Sequence, residues 1–386
     1  MAADKTIFFV TIALIVIGIV FSMSLTVYTA PHYGFPEFHF FIRQFIVGIF
    51  SIFLIWAISR LDPDKHFKLL GFSIFFIFLI MMTMMPFLPE SYVTAVGGAK
   101  RWIKLPLISL APVEFFKVGF IFFLAWSFSR KIESGVDKLK DEVLTFLPYV
   151  GAFGIVVYLI AIMQNDIGQV IVLGTSLTVM AFMAGASTRL FMFFMLGATI
   201  VFIVAIVGSE HRVARVISWW SDVQNFVLSF LPDSISERLR VEVSEAPYQI
   251  TNSYYAIKNG GFFGEGIGNG TIKLGYLTEV HTDFVLAGIA EEIGLLGLLF
   301  VIGLFFIIIF RSLKIANRSE NMMHSLFALG VTLLIGTSLF INSFGITGIT
   351  PIKGIAVPFL SYGGSSLLAH SIAIGMVLML SKKVRF

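Results

Sequence analysis

The chain has 386 residues, of which 57% are hydrophobic and 13% charged, with 43 Phe and a mean hydropathy of +0.92. Ordinary globular chains carry about 25% charged residues, so a wetted soluble fold is excluded and an all-α integral membrane protein is expected. The net charge is only +4, with basic residues in short clusters between apolar runs, which excludes a nucleic-acid footprint, and with no Cys there is no thiolate or disulfide chemistry.

A membrane-crossing helix needs about 20 predominantly apolar residues. About ten such runs are predicted, near 6–29, 41–59, 68–88, 112–129, 145–163, 167–186, 189–208, 284–310, 323–344 and 364–381. The first run is longer than the core of a signal peptide, about 7 to 15 residues, and reads as a retained anchor. With ten crossings, Lys5, Arg60, Lys65, Lys68, Arg130, Lys131, Arg311, Lys314, Arg318, Lys382 and Lys383 gather on one side. The positive-inside rule then puts both termini in the cytoplasm. The whole chain, 1–386, reads as one polytopic domain, with a long extracytoplasmic loop, 209–280, between the seventh and eighth runs.

The polar residues that interrupt this pattern cluster on the extracytoplasmic side. The segment Gly97, Gly98, Ala99, Lys100, Arg101, Trp102 reads as a turn with two cations and an interfacial aromatic, followed by Lys104. Glu114 and Lys117 stand three apart on one helical face, at pairing distance. Asp166 falls in a very short connection, where a turn-former and a substrate-positioning carboxylate are both open readings. In the long loop, Arg212, Arg215, Trp219 and Trp220 alternate in the manner of a helix lying in the lipid interface. Tyr248 and Gln249 precede a glycine-dense stretch, Gly260 to Gly270, whose backbone is open to an anion such as a pyrophosphate.

His281 and Asp283 then stand where the loop meets the eighth run, with Glu291 and Glu292 inside it. A carboxylate at the membrane edge is costly, so a functional role is the default, and partial burial suits Asp283 to general-base work. Near the end, Pro351, Lys353, Gly354 and the run Pro358 to Ser366, which includes Ser361, read as irregular backbone tolerated at membrane depth only where it lines a cavity. Together these features suit an anionic lipid-linked substrate handled outside while its tail stays in the bilayer. They leave open whether the headgroup is moved or chemically joined.

These residues resemble the SEDS proteins (shape, elongation, division and sporulation), which polymerise the glycan strands of bacterial peptidoglycan. The likeness rests on Gly98, Arg101 and Trp102; Pro112, Glu114 and Lys117; Asp166 and Gly168; Tyr248, Gln249 and Ser253; Glu279 to Phe284 with Glu291, Glu292 and Gly294; and Pro358 to Ser366. Lys353 in its Pro351 to Gly354 element is closer to the cell-division members than to the elongation members. The chain departs from the family's usual Pro at Asn165, Thr at Gln169 and Pro at Thr278.

The resemblance implies a glycosyltransferase that uses lipid II as donor and acceptor, inverts the donor's anomeric carbon and releases undecaprenyl pyrophosphate. Asp283 is the expected general base. Arg101, Lys104, Glu114, Lys117, Asp166, Arg212, Arg215, Tyr248, Gln249, His281, Lys353 and Ser361 are the expected substrate-binding set, with a divalent cation (Mg or Mn) as a candidate helper. The implied partners are a class B penicillin-binding protein and other divisome membrane proteins, in the bacterial inner membrane at the septum. The competing classes are a lipid II flippase, an elongation-type polymerase and a scaffold.

Overall fold

A computed structural model describes residues 3–96, 99–104, 109–131, 139–208, 210–230, 232–241, 248–351 and 354–384. Helix α1, Lys5–Leu25, begins where the Asp4 carboxylate accepts the Ile7 amide at 3.1 Å, satisfying one of the donors a helix start leaves open. There follow α2, His39–Arg60; α3, Pro63–Met84, with Pro in its first turn behind an Asp62 cap; and α4, Pro112–Lys131. Next come α5, Leu139–Val157, continued by a π-helical turn over Tyr158–Met163; α6, Ile167–Met183; and α7, Thr188–Val207, capped by Ser187.

The long segment expected as a loop is largely helical: α8, Glu210–Leu228, an amphipathic helix; α9, Asp233–Leu239; and α10, Tyr248–Gly260. The chain finishes with α11, Val285–Arg318; α12, Met322–Ile346; and α13, Gly364–Ser381. Each of the predicted apolar runs coincides with a helix. Among the described residues eight helices are long and apolar enough to cross a membrane, while α6 and the Thr188–Gly197 part of α7 are shorter apolar helices.

One element departs from an all-helical chain. Strands β1, Val93–Val96, β2, Ala99–Lys104, and β3, Ser109–Leu110, form a small antiparallel sheet, with Val93 opposite Ile103 and Ile103 opposite Leu110. The stretch expected as a turn is therefore part of a hairpin. The signal was present: Val93 and Thr94 on one side and Trp102 and Ile103 on the other flank a Gly-Gly pair.

Helices α4, α12 and α13 form the buried centre, while α2 and α3 keep most of their surface outward. In this lipid-facing shell tails are as apolar as Leu, so helix association depends on close packing. Gly119 of α4 shows this, because a Cβ there would stand 2.5 Å from the Phe75 Cα of α3. At one end of the bundle Asp4 pairs with Arg311 at 3.1 Å, the Asp4 amide donates to Ser381 Oγ at 3.0 Å, and Lys383 pairs with Asp64 at 2.6 Å. Both ends of the described chain thus share one face of the bundle, as an even number of crossings requires.

Helix α11 is broken at Gly294, whose φ of 70° and ψ of −176° lie outside the helical region. The break leaves backbone groups that lipid cannot satisfy. The segment after α10 supplies the partners: Leu295 N donates to Gly261 O at 2.9 Å, Glu265 N to Glu291 O at 3.0 Å and Gly266 N to Glu292 O at 2.9 Å.

Candidate functional site

The end of the bundle away from the chain termini holds a cavity of about 430 Å³. Its lining is drawn from the starts of five helices: Phe40, Arg43 and Gln44 of α2; Val113 and Glu114 of α4; Asp166 and Gln169 at the head of α6; His281 to Asp283 before α11; and Gly363 to Ser366 at the head of α13. Arg101 and Trp102 of β2 close one wall. Each helix start carries partial positive charge and outward-facing amides. Five of them around one chamber favour negative charge there, whether a bound anion or the lining carboxylates Glu114, Asp166 and Asp283.

Asp283 is half-buried in this wall. Its backbone is fixed from behind, because Asn342 of α12 donates through Nδ2 to the Asp283 carbonyl at 2.7 Å and to the Ile355 carbonyl at 2.9 Å. Gly354 packs against the carboxylate itself, and a Cβ there would stand 2.9 Å from Oδ2. Ser361 donates through Oγ to Thr282 O at 2.7 Å and accepts the Val357 amide at 2.8 Å, while the Tyr362 amide donates to His281 O at 2.8 Å. The irregular strand of chain before α13 is therefore a splint along residues 281–283, which is how non-helical backbone is satisfied at membrane depth.

Asp166 caps α6, accepting the Gln169 amide at 3.3 Å. Asn165 before it has φ 50°, a left-handed conformation that Asn tolerates and that Pro, the family's usual residue, cannot adopt. Arg101 donates through Nε to Gln164 O at 2.7 Å and through Nη2 to Asn165 O at 2.8 Å. Burial raises the Asp166 carboxyl above its ordinary range, and the nearby Arg101 guanidinium opposes this.

Glu114, Lys117 and Gln169 form a closed buried ring: Lys117 Nζ lies 3.0 Å from Glu114 Oε2 and donates to Gln169 Oε1 at 2.6 Å, and Gln169 Nε2 donates to Glu114 Oε1 at 3.0 Å. The expected pair is present, and Gln169, the residue that departs from the family pattern, completes it. Glu114 borders the cavity, whereas Lys117 stands behind it. His281, also in the wall, packs on Phe40 and Tyr362 with ring centroids at 5.3 and 5.8 Å, and burial lowers its imidazole below the usual range, with Glu279 opposing.

Of the expected site residues, Arg101, Glu114, Asp166, His281 and Asp283 share the cavity lining. Lys117 and Ser361 support it from outside. Lys104, which donates to Glu90 O at 3.3 Å, exposed Tyr248, and Gln249, which donates to Thr278 Oγ1 at 3.3 Å, lie away from it. Arg212 and Arg215 belong to α8, but their side chains, like Lys353 as a whole, lie outside the described residues.

Arg43 is the cation the sequence reading passed over. It lines the cavity and hydrogen-bonds the Tyr362 phenol, which burial raises and Arg43 opposes. A charged residue inside an apolar run was the available signal.

Three residues of the glycine stretch, with the paired glutamates, serve the packing of that stretch against α11. Gly260 and Gly264 lie against the backbone of Ala290 and Glu292, and Gly270 against the Glu291 side chain. Glu291 Oε1 accepts the Thr271 and Ile272 amides at 2.8 and 3.0 Å, and Glu292 pairs with Lys273 at 2.6 Å with Ser24 alongside. This is a clamp on the broken helix. Among the described residues no group of three or more His, Asp or Glu could hold a metal ion by itself.

A family model described as FtsW, RodA, SpoVE cell cycle protein matches residues 4–386. The chain belongs to that family. A Helicobacter pylori protein named "Probable peptidoglycan glycosyltransferase FtsW" is 48% identical over 386 residues, covering 99% of each chain. Among solved structures, the rod shape determining protein RodA of Thermus thermophilus is similar in fold, with a TM-score of 0.65 at 20% identity over 99% of this chain and 98% of that one. A chain from a peptidoglycan synthase complex that coordinates polymerisation and crosslinking has a TM-score of 0.69 at 21% identity, covering 99% and 98%. Within the family this chain is most like FtsW, and it is a multi-pass membrane protein.

Proposed function

We propose that the chain is a peptidoglycan glycosyltransferase that joins lipid II units during cell division, with Asp283 as general base. The observation that carries this reading is the meeting of one held carboxylate with five helix N-termini in a single cavity. Asp283 takes the proton from the 4-hydroxyl of the acceptor's GlcNAc as that oxygen attacks the anomeric carbon of the donor's MurNAc. The bond from that carbon to the pyrophosphate oxygen breaks on the opposite face, so the α-linked donor becomes a β-1,4 link. The pyrophosphate carries away the electron pair, and the helix dipoles, Arg43 and Arg101 stabilise the charge that develops on it. Arg212, Arg215 and Lys353 are further candidates for contact with substrate.

Were a divalent cation used, the lining carboxylates Asp166 and Asp283 would be the residues to hold it, since Mg²⁺ is commonly bound by one or two carboxylates plus substrate phosphates. It would neutralise charge on the departing pyrophosphate. A class B penicillin-binding protein is the proposed partner, supplying the crosslinking of the glycan strands. The basic residues beside the chain ends support cytoplasmic termini with the cavity outside, and a septal inner-membrane location follows from the proposed role in division.

The test is glycan formation by purified protein in detergent given lipid II, with and without the penicillin-binding partner. Detergent has no two sides, so elongated glycan there speaks for an enzyme, and its absence under both conditions would favour a flippase.

A further inference from the structure

At the end of the bundle opposite the catalytic cavity lies a second cavity, of about 550 Å³, which the proposed chemistry does not use. Its lining includes three cations, Lys5 of α1, Arg60 of α2 and Lys382 just past the end of α13. The carboxylate in this lining, Asp4, is already held by Arg311 at 3.1 Å and by the Ile7 amide. Among the described residues the wall is therefore electropositive.

Helix dipoles account for two of these cations. Arg60 and Lys382 sit at helix C-termini, and Lys382 donates to Leu61 O at 2.5 Å. Lys5 is placed against the dipole, in the first turn of α1, where a cation is unfavourable without a counter-anion.

Apart from Ser59, the remaining lining is apolar. Phe9 is 63% exposed and Trp56 46%, apolar surface of the kind that marks a site of interaction with lipid. The Arg60 guanidinium lies 5.6 Å from the centroid of the Trp56 ring. A Trp beneath a basic residue marks the level of the headgroups. Basic pockets between helices next to such a belt recognise anionic headgroups.

We propose that this cavity binds one anionic phospholipid, its phosphodiester among Lys5, Arg60 and Lys382 and its acyl chains along Phe8, Phe9 and Trp56. The assignment stands independently of the glycosyltransferase reading. A bound lipid ties the start of α1 to the ends of α2 and α13, and so braces the two helices, α2 and α13, whose far ends line the catalytic cavity.

The experiment is native mass spectrometry of the delipidated full chain titrated with phosphatidylglycerol or phosphatidylethanolamine, for wild type, Lys5→Gln/Arg60→Gln, and Lys65→Gln as a basic residue outside the cavity. Wild type is expected to retain one phosphatidylglycerol in preference to phosphatidylethanolamine. The double variant should bind it about fivefold more weakly per cation removed, while Lys65→Gln matches wild type. Equal retention by the double variant, an equal loss in Lys65→Gln, or no preference between the two lipids would overturn the proposal. So would binding of soluble glycerol phosphate as tight as that of the lipid, because the apolar wall would then have no part. Both cations are exposed, and a melting curve matching wild type separates weakened binding from misfolding.

Discussion

One side-chain nitrogen of Asn342 holds two backbone carbonyls, that of Asp283 at 2.7 Å and that of Ile355 at 2.9 Å. The proposed base therefore has its main chain tied to the segment that packs against its own carboxylate. Replacing Asn342 with Leu leaves both carbonyls without this donor, at a cost of about 1–3 kcal/mol. A slackened Asp283 should lower kcat by about 10- to 100-fold with KM little changed. Polymerisation kinetics beside a melting curve would check this, and an unchanged kcat would detach Asn342 from the presentation of Asp283.

Asp283→Asn keeps the shape and the backbone tie but removes the proton acceptor. Loss of about 10²- to 10⁴-fold in glycan formation is expected, with the melting temperature near that of wild type. Full polymerising activity in purified Asp283→Asn protein would end the general-base assignment.

The ring of Glu114, Lys117 and Gln169 is buried, so breaking one member should cost more than removing the charges together. Lys117→Met alone strands a carboxylate, and about 3–5 kcal/mol of stability should be lost. Adding Glu114→Gln should restore much of it. A double-mutant cycle on thermal unfolding reads the coupling, and additive losses would show that the two charges do not act as a pair.

The Lys273 and Glu292 pair is expected to behave differently from the cavity residues. It clamps the segment after α10 onto the broken helix. Lys273→Met should therefore lower thermal stability by a similar few kcal/mol, and Lys273→Met/Glu292→Leu should recover it together with activity. Normal stability with activity lost in both variants would instead place the pair in the chemistry.

His281 carries a pH signature. Its folded pKa lies below 6.5, chiefly through burial, so the unfolded chain binds more protons as the pH falls below that value. Its stabilising contribution is present above pH 6.5 and is lost as the pH falls through the folded pKa, with a slope of at most about 1.4 kcal/mol per pH unit. Melting temperatures of wild type and His281→Gln between pH 7.5 and 5 should diverge in slope, the variant being flatter. Parallel slopes would assign the acid sensitivity to other groups.

The helical plan was legible in the residues because a bilayer demands about 20 apolar positions per crossing and leaves no other way to satisfy the backbone. Asp283, Asp166 and Glu114 were legible for a related reason, since each stands at the start of an apolar run where an uncompensated charge is expensive. Arg43 lies in a similar place and was missed, because its neighbours give no motif. The glycines of 260–270 pointed toward a ligand, yet at Gly260, Gly264 and Gly270 the lack of a side chain serves close packing on α11. Composition cannot tell these two uses apart, since both need only bare backbone.

The amino-acid order by itself determined that the chain lives in a membrane, roughly where it crosses, and which charged residues stand at the membrane edge. It did so through terms that are local in the chain, hydropathy and the cost of burying charge. Only the tertiary structure decided that five helix starts, the 93–110 sheet and the splint before α13 surround one chamber, and which charges face it rather than each other. Those outcomes depend on contacts between residues far apart in the chain, such as Arg101 with Asn165 or Asn342 with Asp283, and no local pattern encodes them.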